Sequence, residues 1–536
     1  MIFRSVRRRA FLIATAIGAV LAALPSASDA AAPRNTLVIG VDTSDTITLD
    51  PARMSQYTPP MTLKAAYETL VTMDPGDYVN VKPQLATKWE RTADGKGYRF
   101  TLRDGVKFAS GDVMTAEDVK FSLDRVLNLK DQPAQYIAHV DRIEVVDPKT
   151  VDVILKDPSQ PILTILAAPA FSIYEKKIVV QHGGISDASA KDADKATQWL
   201  DQNSAGTGPY KIAGWERNAT IQLVKNPNYW RGQPGFERVV IRHIGDSAAQ
   251  LLAVRRGDVD VAFNLIPEQI ATLKDNPEIV VQREPSLDFV YMAVTQEPEF
   301  NPALAKKQAR QAIGYAIDYD GIRDALVGGS AIRPVSFLPI GTNGSTEQLT
   351  REIGFRQDLD KAKQLLAEAG LPDGFSFELS YGNASIVGVS YQLLAQKIQS
   401  DLARVGIKAN LNPMDQVNLR TQFTTNKSPG GVLTFWNPPA VENQLWASAT
   451  VERVARRVHW QPPQEVKDVV SRAAAETDLQ KQAQLWRQYQ EAMVDNANLV
   501  ILFQPIYQVA VRKRVAGFQL TGAGWMADFS AAKPVQ

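Results

Sequence analysis

The chain has 536 residues, with 59 Lys and Arg against 58 Asp and Glu, 45% hydrophobic residues and no cysteine. This length exceeds what one simple core holds, so two or more lobes are expected. The near-neutral charge excludes the basic footprint typical of nucleic-acid binding, and the absence of cysteine excludes disulfides, thiolate nucleophiles and Cys-ligated metals.

The first 30 residues have the pattern of a secretory signal peptide. Four arginines precede an apolar run over residues 10–24, and Ser28-Asp29-Ala30 follows as a small-x-small cleavage site. The run is shorter than the roughly 18 residues of a membrane span, so cleavage after Ala30 and export to the periplasm are predicted. Arg8-Arg9 fits both a twin-arginine signal and a polybasic general secretory signal, so the export route stays open.

The first part of the mature chain is predicted to form strands and hairpins. A short apolar strand over residues 37–41 leads into a polar loop that contains Ser44, and such loops often meet ligand. Turn signals predict three hairpins, and Thr115 begins a helix with a capping-box pattern. The predicted hairpins span residues 89–103, 141–156 and 210–224.

From about residue 236 strands and helices alternate, which is typical of parallel α/β units. The predicted strands are 236–244, 259–263, 279–283, 375–380, 407–411, 431–435 and 499–503. The predicted helices are 247–256, 268–274, 303–316, 360–369, 391–405, 416–423 and two over 464–495. A single sheet would need more parallel strands than open sheets usually carry, so the pattern predicts two lobes that close over a cleft.

The motifs of common enzyme and cofactor sites are missing. The four histidines are far apart in sequence and none has metal-ligand spacing, and neither a nucleophile elbow nor a phosphate-binding loop occurs. Gly206-Thr207-Gly208 lacks the third glycine of a dinucleotide loop and is followed by Pro209. We therefore predict a protein without enzymatic activity, cofactor or metal site.

A series of short motifs in fixed order identifies a resemblance that covers essentially the whole mature chain. The motifs are Leu49-Asp50-Pro51, residues 83–89, residues 100–108 with Gly111, residues 115–119, residues 206–210, residues 226–230, residues 256–260, residues 310–313 with 316–318, and residues 365–370. Together they resemble the family 5 extracellular solute-binding proteins of ABC importers, the peptide- and nickel-type receptors. The resemblance implies an α/β, two-lobed periplasmic-binding-protein clamshell with an extra subdomain in lobe I.

The resemblance also implies the domain limits and the partners. We expect lobe I over residues 31–288, lobe II over 289–505 and a return to lobe I over 506–536, with crossover strands near 288–294 and 502–509. The implied protein is a monomeric receptor that binds a small or peptide-like solute. It would deliver this solute to an inner-membrane ABC permease and its ATPase, and it would bind no nucleic acid.

The ligand site departs from the dipeptide-binding pattern of the family. Those members have a Trp followed three positions later by an Asp for the ligand amine, where this chain has Trp436 and Pro439. They also have an Arg before the long lobe II helix, and residues 383–390 here contain no basic residue. The resemblance then implies that simple dipeptides bind weakly and that a neutral or weakly charged polar ligand is preferred. The candidate ligand-binding residues are Ser44, Tyr136, Asn264, Tyr291, Trp436, Asn437, Phe503 and Gln504.

Several of these residues have a structural alternative. Tyr291 and Phe503 fit equally well as core of the crossover strands, Trp436 fits inside lobe II, and Asn264 fits as a turn residue. Arg453, Arg456 and Arg457 form a basic cluster that fits an anion site or, more simply, a solvated helix face. The alternative functions are an exported hydrolase on a two-lobed scaffold, or a receptor for a metal chelate, opine or glycoside.

Overall fold

A computed structural model describes residues 35–383, 385–386, 388–436, 440–524 and 526–535. The signal-peptide prediction for residues 1–30 lies outside the described residues, and so do the predictions at Asn437 and Pro439. Within the described ranges, no helix is long and apolar enough to cross a membrane.

The strands form one large sheet, one four-stranded sheet and four small pairs. In chain order they are β1 (Thr36–Val41), β2 (Val71–Thr72), β3 (Lys82–Pro83), β4 (Ala86–Arg91), β5 (Gly97–Leu102), β6 (Val140–Asp147), β7 (Thr150–Leu155), β8 (Tyr210–Glu216), β9 (Thr220–Lys225), β10 (Arg238–His243), β11 (Val261–Ala262), β12 (Ile279–Pro285), β13 (Phe289–Val294), β14 (Ala331–Ile332), β15 (Ser376–Gly382), β16 (Ser385–Ile386), β17 (Val389–Ser390), β18 (Lys408–Met414), β19 (Gly431–Trp436), β20 (Leu499–Arg512), β21 (Val515–Ala516), β22 (Gln519–Leu520), β23 (Ala527–Asp528) and β24 (Lys533–Pro534).

The helices are more numerous in the second half of the chain. They are α1 (Pro59–Ala66), α2 (Ala116–Leu129), α3 (Lys176–Gln181), α4 (Ala190–Ala193), α5 (Thr197–Leu200), α6 (Ser247–Arg256), α7 (Pro267–Ala271), α8 (Lys307–Ala316), α9 (Tyr319–Gly321), α10 (Glu347–Ile353), α11 (Leu359–Glu368), α12 (Tyr391–Ala403), α13 (Gln416–Thr424), α14 (Asn443–Ala449), α15 (Ala455–Arg457), α16 (Gln464–Ala475) and α17 (Leu479–Asn496). Two π-helical segments, Ile322–Leu326 and Thr450–Val454, and four short 3₁₀ turns complete the set.

Polar caps fix where the helices begin. The predicted capping box of α2 is confirmed, since the backbone N–H of Thr115 donates to Asp118 Oδ2 at 2.8 Å. In α13 the bond runs the other way, because Oδ1 of the N-cap residue Asp415 accepts from the backbone N–H of Asn418 at 2.9 Å. Each cap satisfies an N–H group that has no partner within its helix.

The large sheet has twelve strands and is continuous through β20. Its order is β18-β15-β19-β13-β20-β11-β1-β10-β9-β8, with β12 and β14 also paired to β20. We call β1 and β8–β12 the N-terminal half-sheet, and β13, β15, β18 and β19 the C-terminal half-sheet. Parallel pairing, predicted from the strand–helix alternation, is confirmed for β1 with β10 and for β15 with β18 and β19. The pairing of β20 with its neighbours is antiparallel.

The chain passes between the half-sheets at two adjacent places. The bend Ser286-Leu287-Asp288 connects β12 to β13, and the 14-residue β20 pairs with β13 at its start and with β12 further along. These passages fall where the crossovers were expected, near residues 288–294 and 502–509. A separate antiparallel sheet of order β4-β5-β7-β6 packs against α2, outside both half-sheets.

Candidate ligand-binding site

A cavity of about 640 Å³ is lined by residues that follow β11 of the N-terminal half-sheet, by Phe435 on β19 of the C-terminal half-sheet, and by residues of the passage between the two. The residues that line it are Ser55, Tyr57, Gln132, Tyr136, Phe263, Asn264, Leu265, Ile266, Pro267, Asp288, Ser330, Ser385, Ile386, Gly388, Tyr391, Arg420, Phe435, Ile506, Tyr507, Gln508, Val509, Leu520 and Met526. Its volume is that of a site for a small organic solute, and its wall combines apolar side chains with a similar number of side chains that carry polar or charged groups.

The strand ends explain which side chains reach the cavity. Residues 263–267 follow β11 directly, and Phe435 is near the carboxyl end of β19. Open α/β sheets present ligand sites at the carboxyl ends of their strands, where side chains leave the ladder of hydrogen bonds. Phe435 is 45% exposed although its strand neighbours Val432 and Leu433 are buried. An exposed ring at this position is therefore available for contact with ligand.

A buried carboxylate lies in the bend between the half-sheets. Asp288 is 6% exposed and accepts a hydrogen bond from the phenol of Tyr507, and both residues line the cavity. Tyr57 packs edge-on against Tyr507 with 6.1 Å between ring centroids. Burial, together with the Asp288 charge, raises the pKa of both phenols well above 10. Both tyrosines are therefore neutral at physiological pH, and Tyr507 acts as the donor to Asp288.

A cationic side chain lines the same cavity from a different element. Arg420 lies on α13, is exposed, and forms no ion pair with any residue of the described chain. The cavity thus combines a negative group from the passage between the half-sheets with a positive group from the C-terminal half. Within the described residues, no group of three His, Cys, Asp or Glu side chains has the geometry of a metal site.

Two of the predicted site residues line the cavity, Tyr136 and Asn264. The Asn264 Oδ1 atom accepts from the backbone N–H of Asp42 at 2.9 Å and from Gln250 Nε2 at 3.0 Å. These contacts fix the amide plane and leave its nitrogen without a partner in the described chain. Burial raises the pKa of Tyr136, so its phenol is also a neutral donor.

Five other predicted residues lie elsewhere. Ser44 is exposed in the loop after β1 and is not part of the cavity wall. Tyr291 is 1% exposed and packs against Phe337 at 4.7 Å, because the centre of β13 is buried on both faces. Phe503 is also 1% exposed and borders a separate cavity of about 420 Å³. The core alternative for Tyr291 and Phe503 is the one that the structure favours.

Gln504 has an internal structural role. Its Oε1 accepts from the backbone N–H of Ile340 at 2.8 Å, and its Nε2 donates to the carbonyls of Ile340 and Ser286. The side chain is fully buried and all of its polar capacity is directed at backbone groups. Gln504 therefore fastens β20 to the bend before Asp288 and contributes nothing to the cavity surface.

Trp436 is the last residue of β19, one position beyond the predicted end of that strand, and it faces a protein neighbour. It is half-buried and its ring lies 5.2 Å from the ring of Phe337, while the Arg453 guanidinium is 5.9 Å from its centroid. It is absent from the cavity wall, and its indole Nε1 is buried with no hydrogen-bond partner among the described residues. Asn437, predicted to act beside it, lies outside the described residues.

The sequence interpretation missed the charged residues of the cavity, Asp288 and Arg420, and the tyrosines Tyr57 and Tyr507. A signal for Asp288 was present, because it is a lone carboxylate between two apolar strands at a predicted crossover. Arg420 gave no such signal, since an arginine on an amphipathic helix is usually solvated. The motif positions before α12 and after Trp436 hold no charged residue in the sequence, and the charged residues that line the cavity come from other elements.

A family model for the bacterial extracellular solute-binding proteins, family 5 (middle), matches residues 80–450. The chain belongs to this family. The resemblance inferred from the short motifs is thereby confirmed, as is the two-lobed α/β fold class of periplasmic binding proteins. Family members and named relatives are binding proteins rather than enzymes, so this solute-binding protein is a receptor of the type that serves ABC importers.

Named relatives cover most of the chain. The probable D,D-dipeptide-binding periplasmic protein DdpA of Escherichia coli K12 is 29% identical over 513 residues, which is 94% of this chain and 95% of that protein. The glutathione-binding protein GsiB of Salmonella typhi is 32% identical over 412 residues, 74% of this chain and 73% of its own. Among solved structures, HbpA2 from Haemophilus parasuis has a TM-score of 0.79 at 25% identity, covering 94% of this chain and all of HbpA2.

Proposed function

We propose that this solute-binding protein is a periplasmic receptor for a small zwitterionic, peptide-like solute, which it delivers to an inner-membrane ABC permease. The observation that carries the proposal is the presence of both Asp288 and Arg420, one acidic and one basic side chain, in the wall of one cavity. Relatives named for a dipeptide and for glutathione support the same ligand class, since both ligands contain a free amine and a carboxylate.

Asp288 is the proposed partner of the ligand amine. Its carboxylate is held in place by the Tyr507 phenol, so an ammonium group would meet a fixed acceptor in a poorly hydrated wall. Charge-assisted hydrogen bonds of this kind are short and about twice as strong as neutral ones. Asp288 thus takes over the role that the family motif gives to the position of Pro439.

Arg420 is the proposed partner of the ligand carboxylate. Its planar guanidinium suits bidentate contact with a carboxylate, and its place on α13 puts the contact on the C-terminal half-sheet. A ligand that binds the passage strands and α13 together interacts fully only when the lobes are closed. Ligand therefore shifts the population toward the closed receptor, the form that a permease can distinguish.

Export and lobe limits are part of the same proposal. The signal peptide over residues 1–30 would direct the chain to the periplasm, with lobe I over 31–288 and 506–536 and lobe II over 289–505. Intact-mass measurement of the exported protein is expected to give an N-terminus at Ala31. Retention of Met1 in exported protein would contradict the cleavage prediction.

The ligand proposal is tested by calorimetric titration with alanyl-alanine and with its N-acetylated form. The receptor is expected to bind the free-amine peptide more tightly, because acetylation removes the ammonium group that faces Asp288. Asp288→Asn should weaken binding of the free-amine peptide by about 30-fold, or ~2 kcal/mol, and should leave the acetylated peptide unaffected.

Asp373→Asn is the matched control, because Asp373 is exposed before β15, at the end of that strand opposite the cavity. It should bind both peptides as the wild type does. Mass spectrometry of solute released by denaturing the exported protein is expected to give a molecule with an amine and a carboxylate. Equal affinity for the two peptides, or a released solute without an amine, would contradict the proposal.

A further inference from the structure

Four arginines gather beside the cavity without carboxylate partners. Arg420 lines the cavity, and Arg453, Arg456 and Arg457 follow on the π-helical segment Thr450–Val454 and on α15. In the described chain, none of the four guanidinium groups forms an ion pair or donates a hydrogen bond to another residue. We call these residues the arginine cluster.

The cluster is connected to the cavity through aromatic residues. Arg453 lies 5.9 Å from the ring centroid of Trp436, and its positive charge acts on the phenol of Tyr136 in the cavity wall. Arg457 lies 5.3 Å from the ring of Phe423, which is on α13 with Arg420. Arg420 is therefore the member of the cluster in the cavity wall, and Arg453 and Arg457 lie against the rings of Trp436 and Phe423, outside the lining residues.

The gathering of like charges is unfavourable in the ligand-free protein. Burial lowers the pKa of Arg457, and the charges of Arg453, Arg420 and Arg456 lower it further. Like charges that approach one another raise the free energy of the charged state, and a bound anion removes this penalty. A π-helical segment is rare in proteins and is found frequently at functional sites.

One carboxylate does not match this amount of positive charge. Arg420 alone suffices for the terminal carboxylate of a zwitterion, which leaves Arg453 and Arg457 for a further anionic group. We propose that the arginine cluster is an anion subsite of the cleft, and that this receptor prefers a peptide-like solute with a second carboxylate. This inference rests on the proposed function, and it adds that the preferred ligand carries a net negative charge.

The test uses two dipeptides that differ only in one carboxylate, alanyl-glutamate and alanyl-glutamine. In low-salt calorimetry the wild type is expected to bind alanyl-glutamate at least about tenfold more tightly. Arg453→Gln should remove most of this preference, while its affinity for alanyl-glutamine stays within about twofold of the wild type. Raised salt should reduce the preference because the cluster is largely exposed.

Matched variants separate the local effect from a loss of folding. Arg453→Lys keeps the charge and should retain part of the preference, and Arg472→Gln, an exposed arginine on α16, should retain all of it. If the wild type binds both dipeptides equally, the anion subsite is refuted while the zwitterion receptor stands. If it binds neither, the proposed function is refuted and the subsite with it.

Discussion

Arg125 and the arginine cluster differ in both their burial and their ion pairing. Arg125 on α2 is fully buried and is held by Asp50 at 2.7 and 2.8 Å and by Asp194 at 2.9 Å. Tyr174 and Thr197 donate to the same Asp50 carboxylate. The arginine cluster beside the cavity, in contrast, is partly exposed and has no acidic partner in the described residues.

The difference indicates what each group contributes. A buried charge must be paired and hydrogen-bonded by the protein itself, because an unpaired one costs several kcal/mol. A cation at the edge of a cleft is still hydrated, so it tolerates the absence of a protein partner until an anion binds. The network around Arg125 therefore stabilises the fold, whereas the exposure and missing partners of the arginine cluster fit the recognition role proposed for it.

The largest expected effect on stability comes from replacing Arg125, the buried arginine that is paired with Asp50 and Asp194. Arg125→Met removes the cation and leaves two carboxylates buried, which should lower the free energy of unfolding by about 3–5 kcal/mol. Arg142→Met is the control and should have little effect on stability, since Arg142 pairs with Asp141 and Glu144 at an exposed site where solvent screens the charges. Urea unfolding measures both variants. Similar losses for the two would remove the contrast between buried and exposed pairs.

The same network predicts a pH dependence. Burial alone would raise the pKa of Asp50, but the charge and hydrogen bonds of Arg125 prevail and hold it below the ordinary 3.8. A lowered carboxyl pKa contributes stability above the unfolded value, and this is lost as pH falls through the folded value. Acid unfolding of the wild type should therefore be steep below about pH 4. The profile of Arg125→Met should be flatter there.

Trp436 lies next to Arg453 of the arginine cluster, and its replacement tests whether the ring stabilises the fold or contacts ligand. Because its ring packs on Phe337 and is half-buried, Trp436→Ala should lower the stability of the ligand-free protein by about 2–3 kcal/mol. Trp436→Phe keeps an aromatic contact and should lose less. Thermal melting without ligand measures both. An unchanged melting temperature with weakened ligand binding would instead make Trp436 a ligand-contacting residue, as the sequence suggested.

Elements with strong local signals were predicted well from the sequence. The helix at Thr115 and the hairpin formed by β8 and β9 were recovered, because capping boxes and turn residues act within a few positions. The last long strand was predicted to end at residue 503, yet β20 continues to Arg512. The strand includes Pro505, which is accommodated where the ladder changes partner from β13 to β14.

The site was less predictable because a crossover strand is buried on both faces. Gln504 and Tyr507 are three positions apart on β20, yet Gln504 binds backbone groups and Tyr507 lines the cavity. Alternation shows that their side chains point to opposite faces, but not which face meets the cavity. That choice depends on the partner strands β12 and β14, which the sequence does not specify at this position.

The smallest expected effect concerns a contact between the segment before the 3₁₀ turn Ile165–Ala167 and the start of α14. Thr164 Oγ1 donates to Glu442 Oε2 at 2.5 Å, and Glu442 Oε1 caps the helix by accepting from the N–H of Gln444 at 3.0 Å. These residues belong to the two different predicted lobes. Burial raises the pKa of Glu442 above 4.5, despite both hydrogen bonds.

A raised carboxyl pKa favours the folded state most at pH values below the unfolded pKa, and this contribution disappears as pH rises through the folded value. Glu442→Gln resembles the protonated form, keeps an oxygen for the Gln444 N–H, and can donate to Thr164. It should therefore stabilise the protein at pH 7 by up to about 1 kcal/mol, with no gain near pH 4. Glu452→Gln, an exposed change on the adjacent π-helical segment, is the control and should alter neither value. Melting temperatures between pH 4 and pH 7 test this prediction. If Glu442→Gln is less stable than the wild type at pH 7, the ionised carboxylate strengthens the contact with Thr164. Its burial then carries no net penalty.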